Sequence, residues 1–107
     1  MSSSPPTDYE LYLRVPELLS LQKQPSERAC PDELLFQVVH QAAELWMKLV
    51  DHEMQQTGSL LAADRLAEAI KTLRRVHSVL ALLGQSLETL YSLTPADYMR
   101  IRNKWAE

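Results

Sequence analysis

Two sets of side chains have types and spacings that could do chemistry. His40 lies one helical turn after Phe36 and one turn before Ala43, so a ring, an imidazole and a small residue share one line of a helix. That line suits a core histidine satisfied by a backbone carbonyl. It equally suits a pocket wall, with a ring to stack on, a polar atom to orient a ligand and room beside the alanine. Tyr98 and Arg102 form the second set, again one turn apart. An arginine backed by a tyrosine can grip a carboxylate bidentately, or simply pair with an acid such as Asp97 or Glu107. Spacing alone leaves both choices open. His77 reads as structural or solvated, and Cys30, between Ala29 and Pro31, has no activating charge beside it.

The element that must position His40 is the longest pattern in the chain. Pro31 suits a first helical turn, and Asp32 and Glu33 set negative charge against the positive end of the helix dipole. Leu35, Val38, Ala42, Leu45 and Leu49 make one apolar stripe; Phe36, His40, Ala43, Met47 and Val50 make a second beside it. Two stripes with a narrow polar edge predict a helix buried over more than half its circumference. It passes His52 and continues through Gly58, because Leu60, Leu61, Ala62 and Ala63 are good helix formers. Asp64 is the expected cap of the next helix. There a seam of Leu66, Ile70, Leu73, Val76, Leu80, Leu83, Leu87 and Leu90 predicts the bundle contact, with His77 on its flank. Thr94-Pro-Ala-Asp97 is a strong start signal for the helix carrying Tyr98 and Arg102.

The N-terminal part reads differently. Residues 1–8 are rich in Ser and Pro and predict a mobile start. Tyr9, Tyr12 and Leu13 share one side of a short helix capped by Asp8, and Pro16 interrupts it and opens a second segment from Glu17 to Gln22. Such an arm cannot fold alone, so it must dock on its own bundle or on a neighbouring subunit. We therefore divide the chain into an arm over residues 1–24 and a helical bundle domain over residues 25–107.

Composition limits the class. With 107 residues, 46% of them hydrophobic and only 2 glycines, the chain reads as one all-α domain: long antiparallel helices in a bundle, completed by oligomerisation. A net charge of −3 offers no basic field, which excludes nucleic acid as the expected partner. One cysteine cannot form an internal disulfide, and no apolar run has the length of a membrane span. The expectation is a cytoplasmic protein with no membrane partner.

At this point the residues resemble a known family. The run Asp32-Glu-Leu-Leu-Phe-Gln-Val-Val-His-Gln-Ala-Ala-Glu-Leu-Trp-Met-Lys-Leu-Val-Asp-His-Glu53 is similar to the signature helix of the tryptophan 2,3-dioxygenases. Tyr9-x-x-Tyr12-Leu13 followed by Leu18-Leu-Ser-Leu-Gln22 resembles that family's N-terminal arm, and Leu93-Thr-Pro-Ala-Asp-Tyr98-x-x-x-Arg102 the segment closing its substrate pocket. Members are helical haem dioxygenases, usually tetrameric, that use O2 to convert L-tryptophan to N-formylkynurenine. Relatives oxidise other aromatic amino acids or indoles.

The resemblance implies haem b as cofactor and L-tryptophan or a related aromatic amino acid as substrate. His40 would be the catalytic distal residue accepting the indole N–H. Phe36 would pack on the indole, Arg102 would hold the carboxylate and Tyr98 would support the arginine's side. Tyr9, Tyr12 and Leu13 would complete the wall from a neighbouring subunit. Three departures matter. The family's proximal haem histidine, from its C-terminal half, has no counterpart here, so no metal ligand is expected in this chain and neither His52 nor His77 matches it. The aromatic before the pocket arginine is Ile101, and the glycine-rich loop after it is missing. Two functions follow from different classes. One is part of a dioxygenase completed by a second chain or a longer polypeptide bearing that histidine; the other is a non-catalytic helical module that associates with itself or a relative.

Overall fold

The structure, a computed structural model, describes residues 4–105. Residues 1–3, within the stretch expected to be mobile, and Glu107, a considered partner of Arg102, lie outside the described residues. Within them the fold is all-α: α1 Asp8–Leu13, α2 Val15–Leu18, a 3-10 turn Pro25–Glu27, α3 Glu33–Ala62, α4 Leu66–Glu88, a 3-10 turn Thr89–Ser92 and α5 Pro95–Trp105.

The hairpin of α3 and α4 is the body of the molecule, and its register is fixed by polar groups. The Arg75 guanidinium donates to the buried Glu53 carboxylate at 2.9 Å, and one turn further along α3 the Thr57 and Thr72 hydroxyls meet at 2.5 Å. As the α3 number rises the α4 number falls, so the helices are antiparallel. Thr57 also donates to the Glu53 carbonyl at 2.9 Å, so its hydroxyl has a partner on each helix. Around these groups Ala43 on α3 and Ala69, Val76 and Val79 on α4 are buried. A one-turn slip would strand a carboxylate among apolar side chains, and that specifies the register.

The structure corrects several details of the reading above. Thr7, not Asp8, caps α1, through a reciprocal capping box with Glu10 (Glu10 N–H to Thr7 Oγ1, 3.1 Å), so the ordered chain starts before the end of the expected mobile stretch. The cap of α4 is Arg65; Asp64 occupies a left-handed turn conformation at φ 59° that reverses the chain after α3. On α3 the buried line is Phe36, Val39 and Ala43, then Glu53 and Thr57, while Val38, Leu45 and Met47 are exposed. The expected leucine seam of α4 divides: Val76 faces α3, whereas Leu66, Ile70, Leu73, Leu80 and Leu87 are exposed. Both helices are apolar over a wide arc, and a single neighbour covers only part of it.

The ends of the hairpin organise the rest. The start signal at Thr94 forms as expected, with the Asp97 N–H donating to Thr94 Oγ1 at 3.1 Å. Helix α5 is anchored by Ile101, only 1% exposed, packed on Phe36 and Cys30, and by Lys104, which donates to the Glu27 carbonyl at 3.0 Å. The connector after α2 lies along the polar edge of α3. Lys23 N–H donates to Gln37 Oε1 at 2.9 Å, and the Gln22 and Gln41 amides meet at 2.8 Å. Glu33 is buried beneath it, accepting from Ala29 N–H at 2.6 Å and pairing with Lys23 at 3.3 Å. Helix α1 packs on α2 and leaves Tyr9, Leu11 and Tyr12 largely in solvent.

The molecule is therefore far from spherical. Its radius of gyration is 18.5 Å, against about 13 Å for a compact domain of this length. The accessible surface is 8390 Å², roughly 2,300 Å² more than the ~6,100 Å² usual for a folded monomer of this mass.

Two outcomes follow. Arg75→Met leaves the Glu53 carboxylate buried without its partner and should lower the unfolding free energy by about 1–3 kcal/mol, read from urea denaturation followed by circular dichroism. Burial alone would push the Glu33 carboxyl up, but the Ala29 N–H, Lys23 and Lys104 outweigh it and hold it below its ordinary value. A group depressed on folding stabilises fully above its unfolded pKa, and that contribution is lost as pH falls through the folded one. The Ala29 amide proton resonance should stay constant at neutral pH, move only on acidification below the ordinary carboxylate range, and lose this titration in Glu33→Gln.

Candidate functional site

The hollow between α3, α5 and the connector is built by the Ile101 anchor. Seating Ile101 on Phe36 brings the last turn of α5 over the first turns of α3. The Trp105 ring then lies 5.3 Å from Phe36, centroid to centroid, at 44°. On the other side of Phe36 the His40 imidazole stands at 4.1 Å and 31°, and the Tyr98 ring at 6.3 Å and 50°. A hollow of about 250 Å³ opens among these groups, with Phe36, His40, Ile101 and Trp105 as its ring-lined side and Lys23, Glu33, Gln37 and Gln41 as its polar side.

His40 is held in a defined state. Its Nδ1 lies 2.7 Å from the Phe36 carbonyl oxygen, one turn back on α3. A carbonyl can only accept, so Nδ1 carries the proton. In the neutral ring Nε2 is then a bare acceptor on a side chain exposed to the hollow. The backbone carbonyl expected for a core histidine is found at Nδ1, and the ring also borders the hollow.

The remaining expected residues are placed as follows. Tyr98 lies beside Phe36 and remains 39% exposed. Arg102 is exposed on α5, does not line the hollow, and makes no ion pair with a described residue. Asp97, its considered partner, is taken by Arg100 at 3.3 Å. Tyr9 and Tyr12 project from α1 at 70% and 85% exposure, and Leu13 borders a separate groove of the arm with Leu18 and Leu21. The chain by itself does not bring these three to the hollow. Trp105 is the lining residue that the sequence reading left without a role. The available signal was its spacing, one turn beyond Ile101 and two turns beyond Tyr98.

The described residues do not by themselves build a site that encloses a haem. His40, His52 and His77 are all exposed, and His40 already commits one nitrogen to the backbone. The described residues contain no group of three or more His, Cys, Asp or Glu arranged to hold a metal. The hollow is below the usual size of a pocket that encloses a cofactor-sized ligand, about 300–1,000 Å³. No helix is long and apolar enough to cross a membrane among the described residues.

Comparison with known proteins gives the family. The family model for tryptophan 2,3-dioxygenase matches residues 1–107. The tryptophan 2,3-dioxygenase of Bacillus thuringiensis (strain Al Hakam) is 42% identical over 95 residues, covering 89% of this chain and 33% of that protein. Its counterpart in Saccharopolyspora erythraea is 44% identical over 94 residues, covering 88% of this chain and 34% of that protein. The one in Arthrobacter sp. (strain FB24) is 39% identical over 94 residues, covering 88% and 33%. The chain spans about a third of the length of these curated relatives. With the signature helix forming α3, the pocket segment forming α5 and the match running from end to end, the chain belongs to the tryptophan 2,3-dioxygenase family.

Proposed function

We propose that this chain forms the substrate-facing wall of a tryptophan 2,3-dioxygenase-type haem dioxygenase, which binds L-tryptophan or a related aromatic amino acid and oxidises it with O2. The observation that carries the reading is the state of His40. Its Nδ1–H is tied to the Phe36 carbonyl and its ring borders the hollow, which supports a role for Nε2 as the acceptor of an indole N–H. Phe36 offers a ring face at stacking distance from the same hollow. On α5, Arg102 makes no ion pair with a described residue and is free to take a carboxylate, while Tyr98, one turn before it, lies beside Phe36. A flat apolar ring bearing one donor and one carboxylate needs this set of partners.

In this reading haem b and its axial histidine come from polypeptide other than the residues described, either a second chain or further length of the same one. Tyr9, Tyr12 and Leu13 serve the hollow of a neighbouring subunit, which their exposure on α1 supports. The arm of residues 1–24 then acts as an exchange element on the bundle of residues 25–107, in a cytoplasmic homo-oligomer. A second reading, a non-catalytic helical interaction module, is favoured by the exposed apolar face of α4.

Ligand-observed saturation-transfer NMR tests the proposal on the chain itself. L-Tryptophan should receive saturation mainly at its indole protons, and His40→Ala should abolish the transfer. Arg102→Ala should weaken L-tryptophan roughly tenfold, the loss expected for one charge-assisted hydrogen bond of about 1.5–3 kcal/mol. Tryptamine, which lacks the carboxylate, should be unaffected by that substitution. Equal transfer to wild type and His40→Ala would eliminate the proposal in favour of the interaction module.

A further inference from the structure

An amino acid seated in the hollow has one group still without a partner, its ammonium. Helix α3 places a carboxylate where that group falls. Glu33, Phe36 and His40 follow one another at steps of three and four residues, so they lie along one line of the helix. All three border the hollow, and Glu33 is the only acid among the described residues that line it. From Glu33 to His40 the helix rises about 10 Å. A hydrogen bond of roughly 2.9 Å at each end then leaves about 5 Å between the two donors of a ligand lying along this line. An indole carrying an amine on a two-carbon chain spans that gap from ring N–H to ammonium.

Glu33 is prepared for a cation. The residue is only 3% exposed, and the Ala29 N–H fixes one carboxylate oxygen, Oε1, at 2.6 Å. The other, Oε2, meets the Lys23 ammonium at 3.3 Å, longer than the ~2.7–2.9 Å of a tight charge-assisted contact. The Lys23 side chain is 33% exposed and has solvent to move into. Lys104, which also acts on the Glu33 charge, is committed to the Glu27 carbonyl at 3.0 Å. A buried carboxylate left without a cation is strongly destabilising. Whatever displaces Lys23 must therefore bring a positive charge of its own.

We propose, resting on the same placement of a ligand ring at Phe36 and His40, that Glu33 is the ammonium subsite of the hollow, and that Lys23 holds this place until the ammonium of an aromatic amine or amino acid takes it. A lysine ammonium and a ligand ammonium are the same chemistry, each a compact charge with three donors. Their exchange keeps the buried carboxylate paired and releases Lys23 to water. The Ala29 N–H holds Oε1 throughout, so Oε2 stays aimed at the incoming cation. The ligand class follows from this. Indoles bearing a primary amine on a two-carbon chain are preferred over neutral indoles of the same shape.

Two probes of equal shape separate the charge from the ring: tryptamine, and 3-propylindole, in which a methyl group replaces the ammonium. Each is titrated into the chain, Kd is read from backbone amide resonances, and helicity is checked by circular dichroism. Tryptamine should bind roughly tenfold tighter than 3-propylindole, the gain from one charge-assisted hydrogen bond. Only tryptamine should move the Ala29 amide resonance, because that N–H reports on the Glu33 carboxylate. Lys23→Met removes the place-holder and keeps the backbone contacts of residue 23 with Gln37 and Arg28. It should tighten tryptamine roughly threefold, the strength of a partly exposed ion pair, and leave 3-propylindole unchanged. Glu33→Gln should bring the two probes to equal affinity, and if that variant loses helicity Lys23→Met decides alone. Tryptamine bound no tighter by Lys23→Met than by wild type, or equal binding of both probes by wild type, would overturn the proposal. If neither probe binds either chain, the ring placement and the ammonium subsite fall together. If 3-propylindole binds, and His40→Ala abolishes that binding while tryptamine gains nothing, the ring placement stands and Glu33 alone loses its role.

Discussion

The burial of Ile101 against Phe36 and Cys30 is the contact on which the rest of the site depends. Ile101 is almost completely removed from solvent, and it ties the last helix to the first turns of the long one. Besides that contact, the far end of α5 is held by the Lys104 hydrogen bond to Glu27 and by the Trp105 ring against Phe36. With it, three rings from α5 and α3 come to lie around Phe36, and a hollow exists. The aliphatic residue at 101 thus serves as an anchor and at the same time borders the hollow.

Buried carboxylates supply a second constraint. The Glu53–Arg75 pair and the facing threonines lock the hairpin register, and the buried Glu33 clasps the connector to α3. Each places a carboxylate in a buried position with its partners supplied, so each specifies one arrangement of helices more than it adds stability. The apolar core itself is thin, formed mostly of small and medium side chains, with much of the large apolar surface facing outward. A chain arranged this way is defined by polar register devices inside and carries apolar surface outside.

Much of this was legible in the sequence. Thr94-Pro95 marked the start of α5, the Phe36–His40 spacing marked two residues that border one hollow, and the scarcity of glycine marked an all-α fold. The choice of buried face was not legible. On α4 both Val76 and the leucines at 73 and 80 satisfy helical periodicity, and only the position of α3 decides which line is covered. The same holds for Asp64, whose type suits a cap as well as the left-handed turn it occupies. Trp105 was missed because its role depends on the angle at which α5 crosses α3, set by Ile101. Arg102 was assigned through resemblance, and its side chain stands outside the hollow in the chain alone.

The central claim is that His40 is preset to receive an N–H donor, and a long-range proton–nitrogen NMR spectrum of its ring tests this most directly. The account predicts the tautomer protonated at Nδ1, with an unprotonated Nε2 resonance that shifts when L-tryptophan is added and not when L-phenylalanine, which lacks the ring N–H, is added. A ring protonated at Nε2, or an Nε2 resonance that ignores L-tryptophan, would contradict it.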